Sequence, residues 1–365
     1  MIQKAIISGG GTGGHIFPAI AIADELKRRN PDVDILFVGA DGKMEMEKVP
    51  AAGYTIKSLP IVGFKRKFAL SNFALPFKIV GSMIKARRIV KDFKPQVAVG
   101  VGGYASGPTV KAATMLKVPS MVQEQNSFPG KTNKILSKSV QKICVAYEGL
   151  DRFFPKEKIV LTGNPTRRDM VDTDGKQTEG YEYYEFDSAK KTILIIGGSL
   201  GARTLNESVV EKLDELKASG VQVIWQCGKL YHEKLSEQLK DTDLGNVKMV
   251  QFINRMDLAY AIADVVISRA GAISVSELCL VKKPTILIPS PNVAEDHQTK
   301  NAMALVEKDA AILIKDVESI EKMVPTALEL LEDVERCKTL SLHISGLGKP
   351  MATESIVDEL EKLLA

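Results

Sequence analysis

The first chemistry this chain offers lies in seven residues, Gly9-Gly10-Gly11-Thr12-Gly13-Gly14-His15. A turn so rich in glycine bares backbone N–H groups. It follows the apolar run Ala5-Ile6-Ile7 and opens a helix expected near Pro18, an arrangement that suits an anion or a polar ligand. Gly197-Gly198-Ser199-Leu200-Gly201-Ala202 repeats it after Ile193–Ile196, and Gly102-Gly103-Tyr104-Ala105-Ser106-Gly107 follows Val97-Ala98-Val99. One such turn can be a tight strand-to-helix connection with no ligand. Three predict a cleft lined by loops from two α/β units. Gly9, Gly11 and Gly14 also satisfy G-x-G-x-x-G. A dinucleotide site of that kind expects an acid about 20 residues on, at the end of the second strand, where Asp41 arrives late.

His15 closes the first turn, where a ligand can approach the glycine backbone closely, and an imidazole suits a general base near neutral pH. Its alternative is an ordinary structural histidine. A second site is expected over Ser268–Glu277, where a strand ends, small residues turn, and a helix begins near Ser274. Amides at that helix start suit a diphosphate. Glu277 can accept hydrogen bonds from ribose hydroxyls, although on residue type alone it reads as an acid offsetting the helix dipole. Asp172-Thr173-Asp174 and Asp241-Thr242-Asp243 have the Asp-x-Asp form used for metals by some sugar transferases, but both fall in polar stretches read as surface loops. The four histidines are scattered without zinc spacing, and no metal is expected.

Net charge is only +4, which gives no hint of a nucleic-acid partner, but it is unevenly spread. Residues 61–95 carry nine Lys or Arg against Asp92, net +8, leaving −4 elsewhere. Phe64, Phe68, Phe73, Leu75, Phe77, Ile79, Met83 and Ile84 are interleaved with those charges. They read as one amphipathic helix or as a surface for an anionic bilayer, where each basic residue contributes about 1 kcal/mol. RNA backbone is a further option, without a recognised motif. The docking residues expected are Lys65, Arg66, Lys67, Phe73, Leu75, Phe77 and Lys78.

These sites need a scaffold. The 365 residues suit about two domains at roughly 150 residues each. Short apolar runs at Ile35–Val38, Met121-Val122, Ile143–Val145 and Ile159–Leu161 alternate with helical spacing such as Ala19, Ile22, Ala23 and Leu26. A second series starts after Tyr181–Asp187, with strands expected at 193–196, 221–225, 247–250, 265–267, 286–288 and 312–314. Such alternation gives a parallel sheet covered on both faces, here twice, so the expected class is α/β with two Rossmann-like domains. Gly163-Asn164-Pro165 is expected as the hinge. The domains are placed at 1–163 and 164–344, and fold analogy, not the residues, adds a C-terminal helix (345–365) packing back on the first. Cys144, Cys227, Cys279 and Cys337 lack pair spacing and read as buried thiols. The start shows no signal-peptide layout and no apolar run nears the roughly 18 residues of a membrane span, so a cytoplasmic location is expected.

These motifs, with Glu124-Gln125-Asn126, Gly163-Asn164-Pro165 plus Arg167, and Arg269 plus Gly271–Glu277, give the chain a near end-to-end resemblance to the bacterial peptidoglycan glycosyltransferases that add N-acetylglucosamine to lipid I. The resemblance implies a GT-B fold, two Rossmann-like domains facing across a cleft. The N-terminal domain would bind acceptor and membrane, the C-terminal one UDP-N-acetylglucosamine. Carried onto this sequence, it implies donor contacts from Thr12, Gly13, Gly14, Asn126, Arg167, Ser199, Ile253, Ala272, Ile273, Ser274, Glu277, Gln298 and Asn301. Ile253 would offer backbone groups to uracil, Ala272–Ser274 would cradle the diphosphate, Glu277 would hold ribose, and Gln298 and Asn301 would address the sugar. Arg167 and Ser199 would lie near the diphosphate. Gly103 and Tyr104 would meet the acceptor, its diphosphate near the first two glycine turns. The chain departs from the family at Leu200 and His297, where glutamine is common, and at Gln123, where histidine is. The last change leaves His15 as the expected base, with Glu124 in reserve.

The reaction implied is inverting transfer to the C4 hydroxyl of N-acetylmuramate in undecaprenyl-linked lipid I, giving lipid II, with no cofactor. The expected place is the inner membrane face, as a peripheral protein, with cell-wall synthesis or division proteins as candidate partners. The rivals are a UDP-N-acetylglucosamine 2-epimerase, which needs no lipid-facing patch, a non-catalytic nucleotide-sugar binder, and a dehydrogenase.

Overall fold

The computed structural model describes residues 1–61, 75–166 and 168–364, and only the backbone of Leu75, Pro76, Phe77, Arg168, Asp169 and Ala294. Lys65, Arg66, Lys67, Phe73 and Arg167 therefore lie outside the described residues, as do the side chains of Leu75 and Phe77. The chain forms two compact units, Met1–Thr166 with Lys349–Ala365, and Arg167–Gly348.

In the first unit seven strands are described: β1 (Lys4–Gly9), β2 (Asp34–Ala40), β3 (Thr55–Leu59), β4 (Val97–Gly102), β5 (Ser120–Glu124), β6 (Lys142–Val145) and β7 (Ile159–Leu161). All pair in parallel, in the order β3-β2-β1-β4-β5-β6-β7. Successive side chains of a strand point to opposite faces. Ala5 and Ile7 accordingly enter one core and Ile6 the other. The Gly13–Arg29 and Ala352–Glu361 helices close the first core through Ile16, Ile20, Ile356, Val357 and Leu360. The Leu75–Phe93 and Ser106–Met115 helices close the second through Ala86, Ile89, Val90, Ala112 and Ala113. Arg29 locks the last helix down, donating to Asp358 (2.7 Å), Glu361 (2.9 Å) and the Glu354 carbonyl (3.0 Å).

Strand β3 has no counterpart in the sequence reading. Thr-Ile-Lys-Ser-Leu places only two apolar residues among polar ones, Ile56 toward one core and Leu59 toward the other. The first helix begins at Gly13 rather than Pro18, so His15 sits in its first turn and Pro18 is tolerated early in the helix. Gly163-Asn164-Pro165, expected as the hinge, falls inside the first unit, whose main segment ends at Thr166. It is buried within the first unit. The Gly163 N–H donates to the Val145 carbonyl, and Asn164 accepts from Gln123 (3.0 Å) and donates to the Gln125 carbonyl (3.0 Å).

The second unit holds β8 (Thr192–Ile196), β9 (Gln222–Gln226), β10 (Val247–Val250), β11 (Val265–Ser268), β12 (Thr285–Leu287) and β13 (Ile312–Leu313), parallel in the order β10-β9-β8-β11-β12-β13. Ile193, Ile195 and Trp225 face one core, Leu194, Ile196 and Ile224 the other. The helix of the second site runs over Ala272–Val281, two residues earlier than expected from Ser274. No described helix is long and apolar enough to cross a membrane.

Candidate functional site

Open α/β sheets bind ligands at the carboxyl ends of their strands, where the strand order reverses. In the first unit that point lies between β1 and β4, and in the second between β8 and β11. The glycine turns follow these four strands: Gly9–Gly14 after β1, Gly102–Gly107 after β4, Gly197–Ala202 after β8 and Ser268–Gly271 after β11. Topology thus pairs the turns two by two, one pair on each unit.

In the first pair the two turns touch backbone to backbone. A Cβ on Gly103 would lie 2.4 Å from the Gly10 carbonyl oxygen, and Gly103 has a φ of +85°. Gly103 is thus a packing glycine, while Tyr104 beside it is half exposed. A Cβ on Gly102 would lie 2.5 Å from the His15 ring, so the imidazole lies over that glycine. His15 Nδ1 is 3.2 Å from Thr12 Oγ1. In the tautomer whose Nδ1–H donates to Thr12, Nε2 keeps the lone pair a base requires. No side chain caps the Gly13–Arg29 helix, so Thr12, Gly13 and Gly14 stand at a helix start rich in backbone donors. The Gly11 N–H is another matter. It donates to the buried carboxylate of Glu45 at 2.8 Å. An acceptor diphosphate cannot use that amide, and a dinucleotide pyrophosphate on this turn would meet a fixed negative charge beneath it.

Glu124 is not a reserve base. It is fully buried and accepts from the Asn126 N–H (3.1 Å), Asn126 Nδ2 (3.2 Å), the Gly130 N–H (3.1 Å) and Asn133 Nδ2 (2.9 Å). Burial pushes its pKa up while these four donors pull it down. Its carboxylate is enclosed and engaged, and its effect is to hold Asn126 in place. Gln123, which stands where the resemblance expects histidine, is likewise buried and turned to Asn164.

In the second pair, Ser199 is exposed on the turn after β8, and the Lys229 N–H donates to its carbonyl (3.0 Å). Beside it, Gly271 leads into a ten-residue helix that no side chain caps, with Ala272, Ile273 and Ser274 in its first turn. Glu277 lies further along this helix, partly buried. The hydroxyl of Tyr260, on the Met256–Ile262 helix, lies close to the Glu277 carboxylate. Burial foremost, and then the Glu277 carboxylate, raise the Tyr260 pKa well above the phenol range, so this hydroxyl stays a donor.

Three further residues behave as follows. The Ile253 N–H already donates to Gln226 Oε1 at 3.0 Å, and no described hydrogen bond ends on its carbonyl. Gln298 Oε1 accepts from the Ser290 N–H (2.8 Å), which leaves its amide nitrogen as the group for a sugar. Asn301 is wholly buried and donates to the Ala270 carbonyl (3.3 Å), at the turn after β11.

Sequence reasoning missed Glu45, Tyr260 and Gln226, whose partners lie 34, 17 and 27 residues away without any motif spacing. It also missed the role of Arg269. That guanidinium donates to Asp316, to Thr204 Oγ1 (2.9 Å) and to the carbonyls of Ile288 (3.1 Å) and Pro289 (3.3 Å), which ties the ends of β11 and β12 to the start of the Arg203–Glu211 helix. Asp172, Asp174, Asp241 and Asp243 are exposed. Among the described residues no three His, Cys, Asp or Glu side chains gather as a metal site.

Residues 5–145 match the model of the glycosyltransferase family 28 N-terminal domain, and residues 192–353 that of its C-terminal domain. The chain is 55% identical over 361 residues to the UDP-N-acetylglucosamine–N-acetylmuramyl-(pentapeptide) pyrophosphoryl-undecaprenol N-acetylglucosamine transferase of Flavobacterium psychrophilum, covering 99% of this chain and 98% of that protein. The crystal structure of Acinetobacter baumannii MurG superposes with a TM-score of 0.78 at 28% identity, covering 99% of each chain. The UDP-GlcNAc 2-epimerase of Neisseria meningitidis shares the fold at 16% identity and a TM-score of 0.68, over 98% of this chain and all of that one. Both α/β units have the GT-B layout, and the chain belongs to glycosyltransferase family 28, within its N-acetylglucosaminyltransferase branch.

Proposed function

We propose that the protein transfers N-acetylglucosamine from UDP-N-acetylglucosamine to the C4 hydroxyl of lipid I, with inversion, to form lipid II for peptidoglycan. The observation that carries this reading is identity above one half, end to end, with a transferase of that name. The second unit takes the donor. The Glu277 carboxylate accepts from the ribose hydroxyls, the Ile253 carbonyl meets uracil, and the Gln298 amide nitrogen meets the sugar. Amides of Ala272, Ile273 and Ser274, with Ser199, face the diphosphate.

The first unit takes the acceptor, with Tyr104 beside it. The acceptor O4 attacks the anomeric carbon as the bond from that carbon to the UDP oxygen breaks. The O4 proton passes to His15 Nε2. Charge growing on the leaving diphosphate is met by the helix-start amides, which are fixed in place before reaction. An α-linked donor gives a β-1,4 product. Radiolabelled UDP-N-acetylglucosamine with a short-chain lipid I analogue tests this directly. Label in the lipid product is expected; label remaining in an epimerised UDP-sugar, or no turnover, rejects the reading.

Tyr260 supplies a second check on the donor side. A phenol beside a carboxylate can donate to it, and one hydrogen bond is worth roughly 0.5–1.5 kcal/mol. Tyr260→Phe is expected to raise the UDP Kd by about three- to tenfold while kcat at saturating donor holds. An unchanged Kd removes Tyr260 from the orientation of Glu277.

The lipid-linked acceptor gives peripheral docking on the inner leaflet a purpose. Ile79 (44% exposed), Val80 (58%) and Ile84 (67%) stand out from the Leu75–Phe93 helix among exposed Lys78, Lys85, Arg87 and Arg88. These apolar positions lie further along the chain than the Phe73, Leu75 and Phe77 singled out from sequence. Immersing an isoleucine side chain is worth about 1.5–3 kcal/mol. Replacing Ile79 and Ile84 by serine is expected to cut flotation with anionic liposomes by about tenfold or more per site. Equal recovery with and without anionic lipid counts against docking.

A further inference from the structure

Glu45 opens the short Glu45–Ala51 helix and is completely buried. Its two oxygens divide the work: Oε2 accepts from the Gly11 N–H at 2.8 Å and Oε1 from the Ala40 N–H at 3.0 Å. One carboxylate thus joins the turn after β1 to the end of β2. Two glycines make room for it. A Cβ on Gly10 would lie 2.2 Å from Glu45 Oε1, and one on Gly39 would lie 2.5 Å from Glu45 Cγ. Gly10 is therefore glycine for an internal anion as well as for its contact with Gly103. The turn is held from below by Glu45 and abutted by the turn after β4. From its far end project Thr12 and His15.

We propose that Glu45 is a positioning residue for transfer, fixing the first glycine turn so that His15 meets the acceptor hydroxyl, and that its charge keeps the acceptor diphosphate off Gly10-Gly11. This rests on the reading of His15 as the base. Both oxygens of Glu45 accept, so an amide in its place turns an NH₂ group toward one of the two backbone N–H donors. Glu45→Gln thus fills the same volume and still breaks the junction. Misplacement of a reacting group by about 1 Å costs on the order of 10²-fold in rate.

The test compares wild type, Glu45→Gln and Gly39→Ala, the last of which pushes on the carboxylate from outside the turn. Steady-state kinetics are run with varied lipid I analogue, alongside calorimetric UDP binding. Expected for both variants are a kcat lower by about 10²-fold and a much smaller change in the UDP Kd. Should Glu45→Gln fail to fold, Gly39→Ala decides. A folded variant with wild-type kcat overturns the proposal, as does one whose kcat falls only in step with its UDP affinity. An inactive wild type would instead reject the transferase reading, and His15→Ala at full activity would reject the base.

Discussion

His15→Ala lowers kcat by about 10² to 10⁴-fold, the range a positioned general base supplies, and leaves the UDP Kd nearly unchanged. The geometry sets both halves of this expectation. The imidazole lies over Gly102 and is steadied by Thr12 on its Nδ1 edge. It belongs to the first unit, whereas the groups assigned to uridine and diphosphate belong to the second, apart from Thr12 to Gly14 and Asn126. Removing the ring takes away a proton acceptor and no assigned donor contact. Single-turnover rates with the lipid I analogue, set beside calorimetric UDP titration, separate the two quantities. Full activity in the alanine variant would take His15 out of the chemistry.

Glu277→Ala acts in the opposite way. Hydrogen bonds to a charged group are worth about 1.5–3 kcal/mol, and each 1.4 kcal/mol is tenfold in affinity. The UDP Kd is therefore expected to rise by roughly 10- to 150-fold, with kcat at saturating donor much less affected. Ribose is remote from the bond being broken, and binding energy gained equally in ground and transition states appears in KM. Tyr260 sharpens the expectation, because removing the carboxylate takes an acceptor away from beside a buried phenol. A titration giving the wild-type Kd would refute the ribose assignment.

Most strands of both sheets were legible as short apolar runs, because strands buried on both faces need apolar residues at every position. Thr55–Leu59 was not, since this edge strand sends only Ile56 toward one core and Leu59 toward the other. The glycine turns were legible one at a time. Their pairing was not, because it follows from strand order, and no local pattern records that β4 lies beside β1 or β11 beside β8. Side-chain roles divided along the same line. His15, Ser199 and Glu277 stand on elements whose starts the sequence announces. Glu124 and Asn301 carry the residue types of a site yet are buried on backbone amides or carbonyls. Burial of that kind depends on packing from distant segments, as with Glu45 and its partner 34 residues earlier in the chain.

The Ala352–Glu361 helix completes a core begun by the opening strand, with all of the second unit intervening. A ribosome delivers the chain from its amino end, and domains ordinarily fold in that order. Here Ile16 and Ile20 wait for Ile356, Val357 and Leu360, so the unit started first is finished last. Until then the nascent chain carries an open apolar seam, which makes a chaperone's attention during synthesis a consequence of the topology.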